Sequence, residues 1–352
     1  MNILMLSWRD IKNPRAGGAE YVTFELLKRF AAVGHSCTWF TSSFPSSRTE
    51  KIEDVTIIRR GDKHSVYYKA YRYLQRNNYD LVIDQINTIP FFTPLFYKGK
   101  KMAFIHQLCE QIWFYEMPFP LSWIGYISEK IYIRWYRNLP TVVVSASTRK
   151  NLASYGFRHI FVMQNAIDTM PLSILPHKKK NSFVFVGRLK KSKQVEDAIK
   201  AFSLLSIPST LHIIGRGDIA YERYLRSISP PSVQFHGYLP MNERNALVSS
   251  AEAILVTSVK EGWGLIVSEA NALGTPAIVY NVDGLRDAVV DGKTGLVVRR
   301  NTPVELSNAM TSFLSNKKLK QTLSENALEH SKTFNWDTSA AEVLHFIEKV
   351  MV

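Results

Sequence analysis

A chain of 352 residues with 46% apolar and 12% aromatic residues can form packed cores, and it is longer than one core usually serves. Two domains are expected, and an intrinsically disordered protein is excluded. The net charge of +14 is concentrated in residues 1–165, which carry 22 Lys and Arg against 12 Asp and Glu. This excess favours an anionic partner, either a nucleic acid, an anionic lipid surface or a diphosphate-bearing substrate. A basic protein without such a partner is the alternative.

Cysteine content and hydropathy indicate the compartment. Cys37 and Cys109 are the only cysteines, which predicts neither a disulfide framework nor a zinc site and is typical of a reducing compartment. The first residues, MNILMLSWRD, lack the pattern of a signal peptide, and no run approaches the ~20 apolar residues of a membrane helix. We expect a cytoplasmic protein, with peripheral attachment at the inner face of the cell membrane as an alternative.

Apolar runs of strand length alternate with helix-period segments in the first half of the chain. The predicted strands are residues 2–8, 37–41, 55–60, 80–85, 102–106, 141–146 and 160–165. The segment GAEYVTFELLKRFAAVG, between the first two strands, has a helical pattern. Continuous rather than alternating apolar runs predict strands that are buried on both faces of a parallel sheet. This pattern is typical of a doubly wound α/β domain.

The same pattern restarts after a segment rich in Pro, Lys and polar residues. Strands are predicted at residues 183–187, 210–215, 233–237, 253–258 and 276–280, each followed by a helical stretch. The predicted organisation is a Rossmann-like domain at 1–165, a linker at 166–181, a second Rossmann-like domain at 182–335 and a C-terminal helix at 336–352 that could pack back on the first domain.

The segment VKEGWGLIVSEANALGTPAIVY places two carboxylates and two glycines between a strand and a helix. Glu261 would lie in the loop at the carboxyl end of the strand, where open α/β sheets bind ligands. Gly264, Leu265 and Ile266 would present N–H groups at the helix N-terminus, and Glu269 could reach back toward the same ligand. A helix-capping Glu261 and a solvated Glu269 form the structural alternative.

A second group of candidates follows the strand FVFVG. Gly187 ends this strand, and Arg188 and Lys193 could bind a diphosphate and stabilise the charge that develops as it leaves. Because Lys190 and Lys191 lie between them, a solvated basic loop is the alternative.

Glycine and histidine patterns narrow the type of ligand. Gly17 and Gly18 precede a helix, but neither the dinucleotide fingerprint nor the P-loop spacing is present, so an NAD oxidoreductase is excluded. His106 and His236 each follow a strand, and either could be structural. There is no pair of histidines or cysteines at metal-ligand spacing and no D-x-D, so metal independence is the working hypothesis.

Residues 112–137 are dense in aromatic side chains, with Lys130, Arg134 and Arg137 among them. Contact with an anionic membrane surface and simple burial in the core both fit this composition. Aromatic and basic residues also bind single-stranded nucleic acid, but no nucleic-acid-binding module is visible, and no such partner is predicted.

Taken in order, these motifs resemble the family 4 glycosyltransferases, which are retaining enzymes of the GT-B fold. The resemblance runs from GGAE, His106 and NAID to FVGRLKKSK, LHIIGRGD, VQFHGYLP, KEGWGLIVSEANALGTPAIV and DGKTGLVV. It implies two Rossmann-like domains that face each other across a deep cleft. It also implies an enzyme that uses a nucleotide-diphosphate sugar as co-substrate, with no further cofactor.

The resemblance assigns roles to individual residues. Glu269 matches the ligand of the nucleotide ribose, Glu261 the contact to the donor sugar, and Arg188 and Lys193 the pair that binds the diphosphate. The loop whose amides meet the sugar and phosphate is matched by Gly264, Leu265 and Ile266. The glycine after the first strand is matched by Gly18, and the histidine of the N-terminal domain by His106. The loops that flank the nucleobase contain Gly215, His236 and Gly237, and Gly187 belongs to the matching segment FVGRLKKSK.

Three positions depart from the family pattern. The usual glycine after the lysine is Gln194, the usual Gly-Gly is Asp283-Gly284, and NAID replaces the commoner N-G-V-D. The expected function is transfer of a sugar, with a uridine diphosphate sugar as the expected donor, to a glycan or polyprenyl-diphosphate-linked saccharide acceptor in polysaccharide biosynthesis. A nucleotide-sugar epimerase of the same fold and a catalytically silent sugar-nucleotide-binding subunit are the alternatives.

Overall fold

The computed structural model describes residues 1–45 and 47–351 and divides the chain into two compact units. Unit 1 contains residues 1–110, 123–165 and 335–352, and unit 2 contains residues 111–122 and 166–334. Residues 111–122, which the sequence analysis included in the first domain, thus cluster with unit 2. The units are defined by contacts, so the domain boundaries given above stay a prediction.

The strands follow the apolar runs of the sequence. In unit 1 they are β1 (Asn2–Leu6), β2 (Ser36–Thr41), β3 (Glu50–Ile52), β4 (Val55–Arg59), β5 (Leu81–Ile86), β6 (Lys101–Ile105), β7 (Thr141–Val143) and β8 (Ile160–Val162). In unit 2 they are β9 (Ser182–Val186), β10 (Thr210–Ile214), β11 (Val233–Gly237), β12 (Ala253–Val256), β13 (Ala277–Val279) and β14 (Gly295–Val297).

Helices connect these strands. They are α1 (Gly18–Ala32), α2 (Val66–Leu74), α3 (Thr93–Phe96), α4 (Ile112–Glu116), α5 (Leu121–Tyr132), α6 (Ala146–Ser154), α7 (Val195–Ser203), α8 (Ile219–Ser227), α9 (Met241–Ser250), α10 (Leu265–Ala272), α11 (Leu285–Ala288), α12 (Pro303–Ser315), α13 (Lys317–Ser331) and α14 (Trp336–Met351), with 3-10 helices at Ile133–Tyr136 and Lys191–Lys193. Among the described residues, no helix is both long enough and apolar enough to cross a membrane.

Each unit is built on its own largely parallel sheet. The strand order is β3-β4-β2-β1-β5-β6-β7-β8 in unit 1 and β11-β10-β9-β12-β13-β14 in unit 2. Of these neighbours, β3 and β4 pair antiparallel and the others pair parallel. The order in unit 2 is that of the Rossmann fold, 3-2-1-4-5-6 in chain order. The chain reverses direction across the sheet between β9 and β12, and between β1 and β5 in unit 1. Such a switch point is where open α/β sheets bind ligands.

Alternation of side chains along β9 shows why its apolar run is continuous. Phe183 and Phe185 pack into the core that also contains α7 and α12, whereas Val184 packs into the core on the opposite face with α9 and α10. Both faces are therefore covered, as the run of apolar residues predicted. The predicted doubly wound α/β architecture is confirmed, together with all twelve predicted strands.

Two strands were missed from the sequence. The edge strand β3 has the sequence EKI, which is short and polar, and β14 begins with a glycine. Both are stabilised by pairing with a neighbour, β3 with β4 and β14 with β13, rather than by their own composition.

The C-terminal helix α14 packs on α1 within unit 1. Arg29 Nε donates to Asp337 Oδ1 at 2.6 Å, and the rings of Tyr21 and Trp336 meet edge to face with centroids 5.8 Å apart. The hydroxyl of Ser339 also donates to the carbonyl of Gln164, at 2.7 Å. These contacts join the end of the chain to its first helix.

Candidate active site

In unit 2 the topology brings together loops that are far apart in the sequence. Because β9 and β12 are neighbours and parallel, the loops that leave their carboxyl ends start at the same edge of the sheet. The loop after β9 carries Arg188 and Lys193, and the loop after β12 carries Glu261. The structure thus places these three predicted residues at the switch point of the sheet.

An ion pair joins the two loops. Lys193 Nζ donates to Glu261 Oε1, and the hydroxyl of Ser258 donates to the same oxygen at 2.6 Å. Thr257 Oγ1 donates to the carbonyl oxygens of Lys193 and Gln194, both at 2.9 Å. These bonds fix the lysine beside the carboxylate. A cation and an acceptor are thus held side by side, which is the combination that a sugar diphosphate requires.

The three glycines at the ends of β9, β10 and β11 make close backbone contacts. The N–H of Gly187 donates to the carbonyl of Ile214 at 3.0 Å, and the N–H of Gly215 donates to the carbonyl of Gly237 at 2.7 Å. A Cβ at Gly215, where φ is +145°, would lie 1.8 Å from the oxygen of Gly187. Only glycine fits here, because a side chain would occupy the position of the neighbouring backbone.

Helix α10 begins as predicted, directly after Gly264. Gly264 is the N-cap residue with φ +96°, so Leu265 and Ile266 form the first turn, where backbone N–H groups point out of the helix. Gly284 approaches the backbone of Glu261 so closely that a Cβ would lie 2.3 Å from the Glu261 oxygen. This contact explains why the second glycine of the family's Gly-Gly is kept.

The residue before it, Asp283, replaces a glycine of the family pattern. Its carboxylate forms ion pairs with Arg286 and, at 3.3 Å, with Lys260, and its carbonyl accepts from the N–H of Glu261 at 3.1 Å. The substitution thus places an additional carboxylate next to the Glu261 loop, where it is balanced by two cations.

Glu269 lies in α10 and pairs with a residue that the sequence analysis did not single out. Its Oε2 lies 3.0 Å from Arg244 Nη2, and Asn245 Oδ1 accepts from the same guanidinium nitrogen at 3.0 Å. Burial raises the pKa of Glu269, Arg244 opposes this shift, and the nearby carboxylate of Asp168 adds to it. The carboxyl group therefore binds its proton at a higher pH than an ordinary glutamic acid.

His236 contacts a second histidine. Its Nε2 lies 3.0 Å from Nδ1 of His212 on the neighbouring strand β10, so one of the two nitrogens donates and the other accepts. Burial lowers the pKa of both imidazoles. The positive charge that His236 carries when it is protonated lowers the pKa of His212 further. Both rings therefore lose their proton at a lower pH than an ordinary histidine, and the pair joins β10 to β11.

Helix α4 supplies a carboxylate to the loop after β9, which is the candidate for diphosphate binding. Glu116 accepts hydrogen bonds from Lys190 Nζ and from Ser192 Oγ, both at 2.5 Å. Burial raises the pKa of Glu116, but these two bonds and the charge of Arg188 lower it more, so that the net shift is downward. An ionised Glu116 thus fixes Lys190, while Arg188 in the same loop is exposed.

Gln194 adopts a conformation that glycine adopts without strain. Its φ is +44° and its ψ is +47°, in the left-handed region, directly before α7. The family's usual glycine at this position is explained by this turn. The glutamine here keeps the turn at a conformational cost.

In unit 1, the candidate Gly18 is the first residue of α1. The side chain of Glu20 turns back to accept from the N–H of Gly17 at 2.7 Å, and Arg9 Nε donates to the other oxygen of Glu20 at 2.9 Å. The loop between β1 and α1 is also fixed by Asp10, which accepts two hydrogen bonds from Arg59, both at 2.8 Å. Both ion pairs are buried, and they hold the loop that leads into this glycine-rich turn.

His106 lies directly after β6 and is 5% exposed. Its Nε2 accepts from Gln85 Nε2 at 2.7 Å, and the same amide nitrogen lies 3.5 Å from the carbonyl oxygen of Ala19. Gln85, on the intervening strand β5, therefore links the two unit 1 candidates. Burial lowers the pKa of His106 to about 3, so this imidazole is neutral and can take part in hydrogen bonding only.

The structure adds four polar residues to the predicted set: Gln85, Glu116, Arg244 and Ser258. Gln85 and Ser258 follow apolar strand residues, and a search for polar residues at strand ends would have found them. Glu116 and Arg244 carry no such signal, because they lie on helices far along the chain from their partners. Among the described residues, no three His, Cys, Asp or Glu side chains are grouped as a metal site requires.

Comparison with known proteins agrees with this architecture. A family model for "Glycosyltransferase Family 4" matches residues 16–170, and one for "Glycosyl transferases group 1" matches residues 168–330. The fold resembles sucrose-phosphate synthase of Thermosynechococcus elongatus (TM-score 0.81, 19% identity, 99% of this chain and 98% of that chain). It also resembles HepE of Anabaena, solved in complex with UDP and glucose (TM-score 0.76, 15% identity, 99% and 100%). These features define a protein of the GT-B fold class.

Relatives of known activity are similar over part of their length. D-inositol 3-phosphate glycosyltransferase of Corynebacterium aurimucosum is 30% identical over 180 residues, 45% of this chain and 41% of the relative. Glycogen synthase of Mycobacterium tuberculosis is 30% identical over 195 residues, 53% and 47%. The match spans less than half the length of these curated relatives. The two family models together cover residues 16–330, and the chain belongs to glycosyltransferase family 4.

The backbone contact at Gly215 makes a testable prediction. Gly215→Ala should lower the free energy of unfolding by about 3 kcal/mol, because the new methyl group overlaps the carbonyl of Gly187. Gly292→Ala is the matched control, since Gly292 also has a positive φ, +71°, but has no atom within 4 Å of the added Cβ. The control should lose only about 1 kcal/mol. Urea unfolding measures both values, and equal losses would contradict the proposed overlap.

The left-handed turn at Gln194 makes a second prediction. Gln194→Gly should raise the free energy of unfolding by about 0.5–1 kcal/mol, because the relief of the left-handed conformation exceeds the added freedom of the unfolded chain. Gln75→Gly is the control, since Gln75 is right-handed with φ −71° and should be destabilised instead. A loss of stability in both variants would show that Gln194 is not strained.

Proposed function

We propose that this protein transfers a sugar from a nucleotide-diphosphate donor to a glycan or lipid-linked saccharide, with retention of anomeric configuration. The observation that carries the proposal is the ion pair between Lys193 and Glu261, beside Arg188, at the switch point of the unit 2 sheet. It supplies cations for a diphosphate and a carboxylate for sugar hydroxyls within one hydrogen-bonded group.

The donor would lie along the carboxyl edge of this sheet. Its nucleobase would contact the loops that contain Gly215, His236 and Gly237, and its ribose hydroxyls would donate to Glu269. Arg188 and Lys193 would bind the diphosphate, together with the backbone N–H groups at the start of α10. Lys193 and Glu261 are already hydrogen-bonded to each other. The donor would therefore place its diphosphate beside Lys193 and its sugar hydroxyls beside Glu261.

The reaction would proceed on the face of the sugar that carries the leaving group. The bond from the anomeric carbon to the diphosphate oxygen breaks, and the acceptor hydroxyl oxygen forms the new bond to that carbon. The hydroxyl proton passes to the departing diphosphate. Arg188 and Lys193 stabilise the negative charge that accumulates there, a contribution of roughly 2.7–4 kcal/mol for each such donor in comparable sites.

The neutral state of His106 limits its contribution. A histidine with a pKa of about 3 cannot serve as a cationic acid at neutral pH. We propose that it orients a sugar hydroxyl by hydrogen bonding, with Gln85 holding the ring. Gly18 would allow the α1 N-terminus to approach the donor phosphate or the acceptor.

A uridine diphosphate sugar is the proposed donor, and no metal ion is required in this scheme. The resemblance to HepE, which was solved with UDP and glucose, supports the uridine nucleotide. The similarity to the D-inositol 3-phosphate glycosyltransferase and the glycogen synthase supports transfer of a glycosyl group. The proposal is tested by incubating the purified chain with uridine, guanosine and adenosine diphosphate sugars, with and without EDTA, and measuring the release of nucleotide. Conversion of the donor to an isomeric sugar nucleotide would instead identify an epimerase.

Removal of the exposed cation should abolish most of the activity. Arg188→Ala should lower kcat/KM about 10²-fold, because a positive charge at the leaving diphosphate is lost. Lys191→Ala is the matched control, an exposed cation of the same loop that the proposal does not use, and should remain within threefold of the wild type. Initial rates with the best donor of the panel measure both. A loss below threefold in Arg188→Ala would contradict the role of this residue.

The raised pKa of Glu269 predicts a pH dependence of nucleotide binding. The ionised carboxylate accepts from two ribose hydroxyls, so affinity should fall as the pH decreases toward the raised pKa, above the ordinary value of about 4.3. Glu269→Gln has no carboxylate and should bind UDP more weakly than the wild type at pH 7.5. Because the variant has no carboxylate to protonate at this position, its affinity should not fall further for this reason at low pH. The ratio of the two dissociation constants, measured by calorimetry, should therefore approach one as the pH falls. Glu325→Gln, on the exposed face of α13, controls for general charge effects, and a constant ratio for Glu269→Gln would contradict the assignment.

A further inference from the structure

Helix α5 exposes its apolar residues. Trp123, Ile124, Ile127 and Ile131 are 51%, 56%, 52% and 53% exposed. Positions 124, 127 and 131 recur at the spacing of a single helix face. These four residues and Trp135 of the following 3-10 helix, which is 44% exposed, form a surface that we call the α5 face. A helix at the protein surface normally turns its polar residues toward water and its apolar residues toward the core.

The side of α5 that faces the protein includes buried polar residues for a structural reason. Glu129 is 3% exposed, and its carboxylate accepts from the backbone N–H groups of Cys109 at 2.7 Å and Glu110 at 2.6 Å. Ser122 is also buried. Since this carboxylate fixes the turn after β6, the helix cannot rotate to bury its isoleucines without breaking two buried hydrogen bonds. The outward direction of the α5 face is therefore built into the fold.

The apolar surface continues beyond α5. The ring of Trp135 lies 5.9 Å from that of Phe92, which precedes α3, and Leu95 of α3 is 60% exposed. The ring of Phe96 contacts that of Tyr71 on α2, with centroids 5.1 Å apart. Ring contacts thus connect α5, α3 and α2 along unit 1, which makes the exposed apolar area larger than single exposed side chains would produce.

The segments that form this surface carry mostly positive charges. Residues 66–76, 92–101 and 121–138, all of which the structure describes, contain nine Lys and Arg, namely Lys69, Arg72, Arg76, Lys98, Lys100, Lys101, Lys130, Arg134 and Arg137. Their one acidic residue is the buried Glu129. An apolar strip flanked by cations, with aromatic rings among them, matches the interface of a bilayer that contains anionic lipids.

We propose that the α5 face docks on an anionic lipid surface, with the isoleucines and tryptophans inserted among the acyl chains and the flanking cations on the phosphates. With 12 residues, α5 lies in the interface rather than crossing it. A second copy of this chain fits less well, because a two-fold contact through the same face would bring the cations of both copies together. The proposal does not depend on the transfer activity, since it requires neither donor nor acceptor.

The test measures sedimentation of the full chain with sucrose-loaded vesicles, either of phosphatidylcholine alone or with an equal share of phosphatidylglycerol. Wild-type protein should bind the anionic vesicles at least about tenfold more strongly. Ile127→Ser/Ile131→Ser should reduce this binding at least about tenfold, because two apolar side chains are lost from the inserted face. Leu204→Ser/Val304→Ser, which changes two exposed aliphatic residues of unit 2, is the matched control and should bind as the wild type does.

Charge and insertion can be separated by two more variants. Arg134→Gln/Arg137→Gln should weaken binding to anionic vesicles by about fivefold per residue and leave the weak binding to phosphatidylcholine unchanged. Brominated acyl chains should quench the tryptophan emission of the wild type, and the quenching should fall in Trp123→Phe/Trp135→Phe. The ellipticity of each variant at 222 nm verifies folding.

Several outcomes would overturn the proposal. These are equal binding of the isoleucine variant and the wild type, absence of binding to either vesicle, and quenching that is unchanged when both tryptophans are replaced. A concentration-dependent dimer that the isoleucine variant abolishes, seen by light scattering without vesicles, would instead assign the α5 face to a second copy of the chain.

Discussion

The ion pair between Lys193 and Glu261 is the interaction on which the candidate site depends. It connects loops that leave neighbouring parallel strands, and it can form only because the chain returns to the side of β9 after building β10 and β11 on the other side. Ser258 and Thr257 extend the connection to the backbone of the β9 loop. The switch point of the sheet, rather than any one motif, is therefore what turns separate basic and acidic residues into one group.

Backbone proximity imposes a second constraint on this edge of unit 2. At Gly215 and Gly284 an added Cβ would lie within 2.3 Å of a neighbouring carbonyl oxygen, so the loops are in direct backbone contact there. Gln194 shows the opposite case, since it keeps a left-handed conformation without being glycine. The glycine motifs of the family thus have two separate causes, one steric and one conformational, and at Gln194 this chain departs from the pattern where the cause is conformational.

In unit 1, buried polar contacts position the candidate residues. Asp10 with Arg59 and Glu20 with Arg9 fix the loop after β1, while Gln85 reaches from β5 to both Ala19 and His106. Glu129 acts similarly at the turn after β6, and it thereby forces the apolar residues of α5 outward. One buried carboxylate thus links the stability of this turn to the surface that we propose for lipid binding.

The sequence by itself determined the fold class and every long buried strand, because a strand covered on both faces must be largely apolar, as β1 and β9 are after their first residue. It also made Lys193 and Glu261 candidates, because they lie in the loops that follow two buried strands, and Glu269, because it lies in the helix after the second loop. Only the tertiary structure decided that Arg244 pairs with Glu269, that Glu116 holds Lys190, and that Gln85 holds His106. These partners come from other strands and helices, and their distance along the chain carries no local signal. The aromatic spacing of α5 likewise did not decide which of its faces is exposed. Helical periodicity shows that two faces differ in polarity, but it does not show which one the rest of the protein covers.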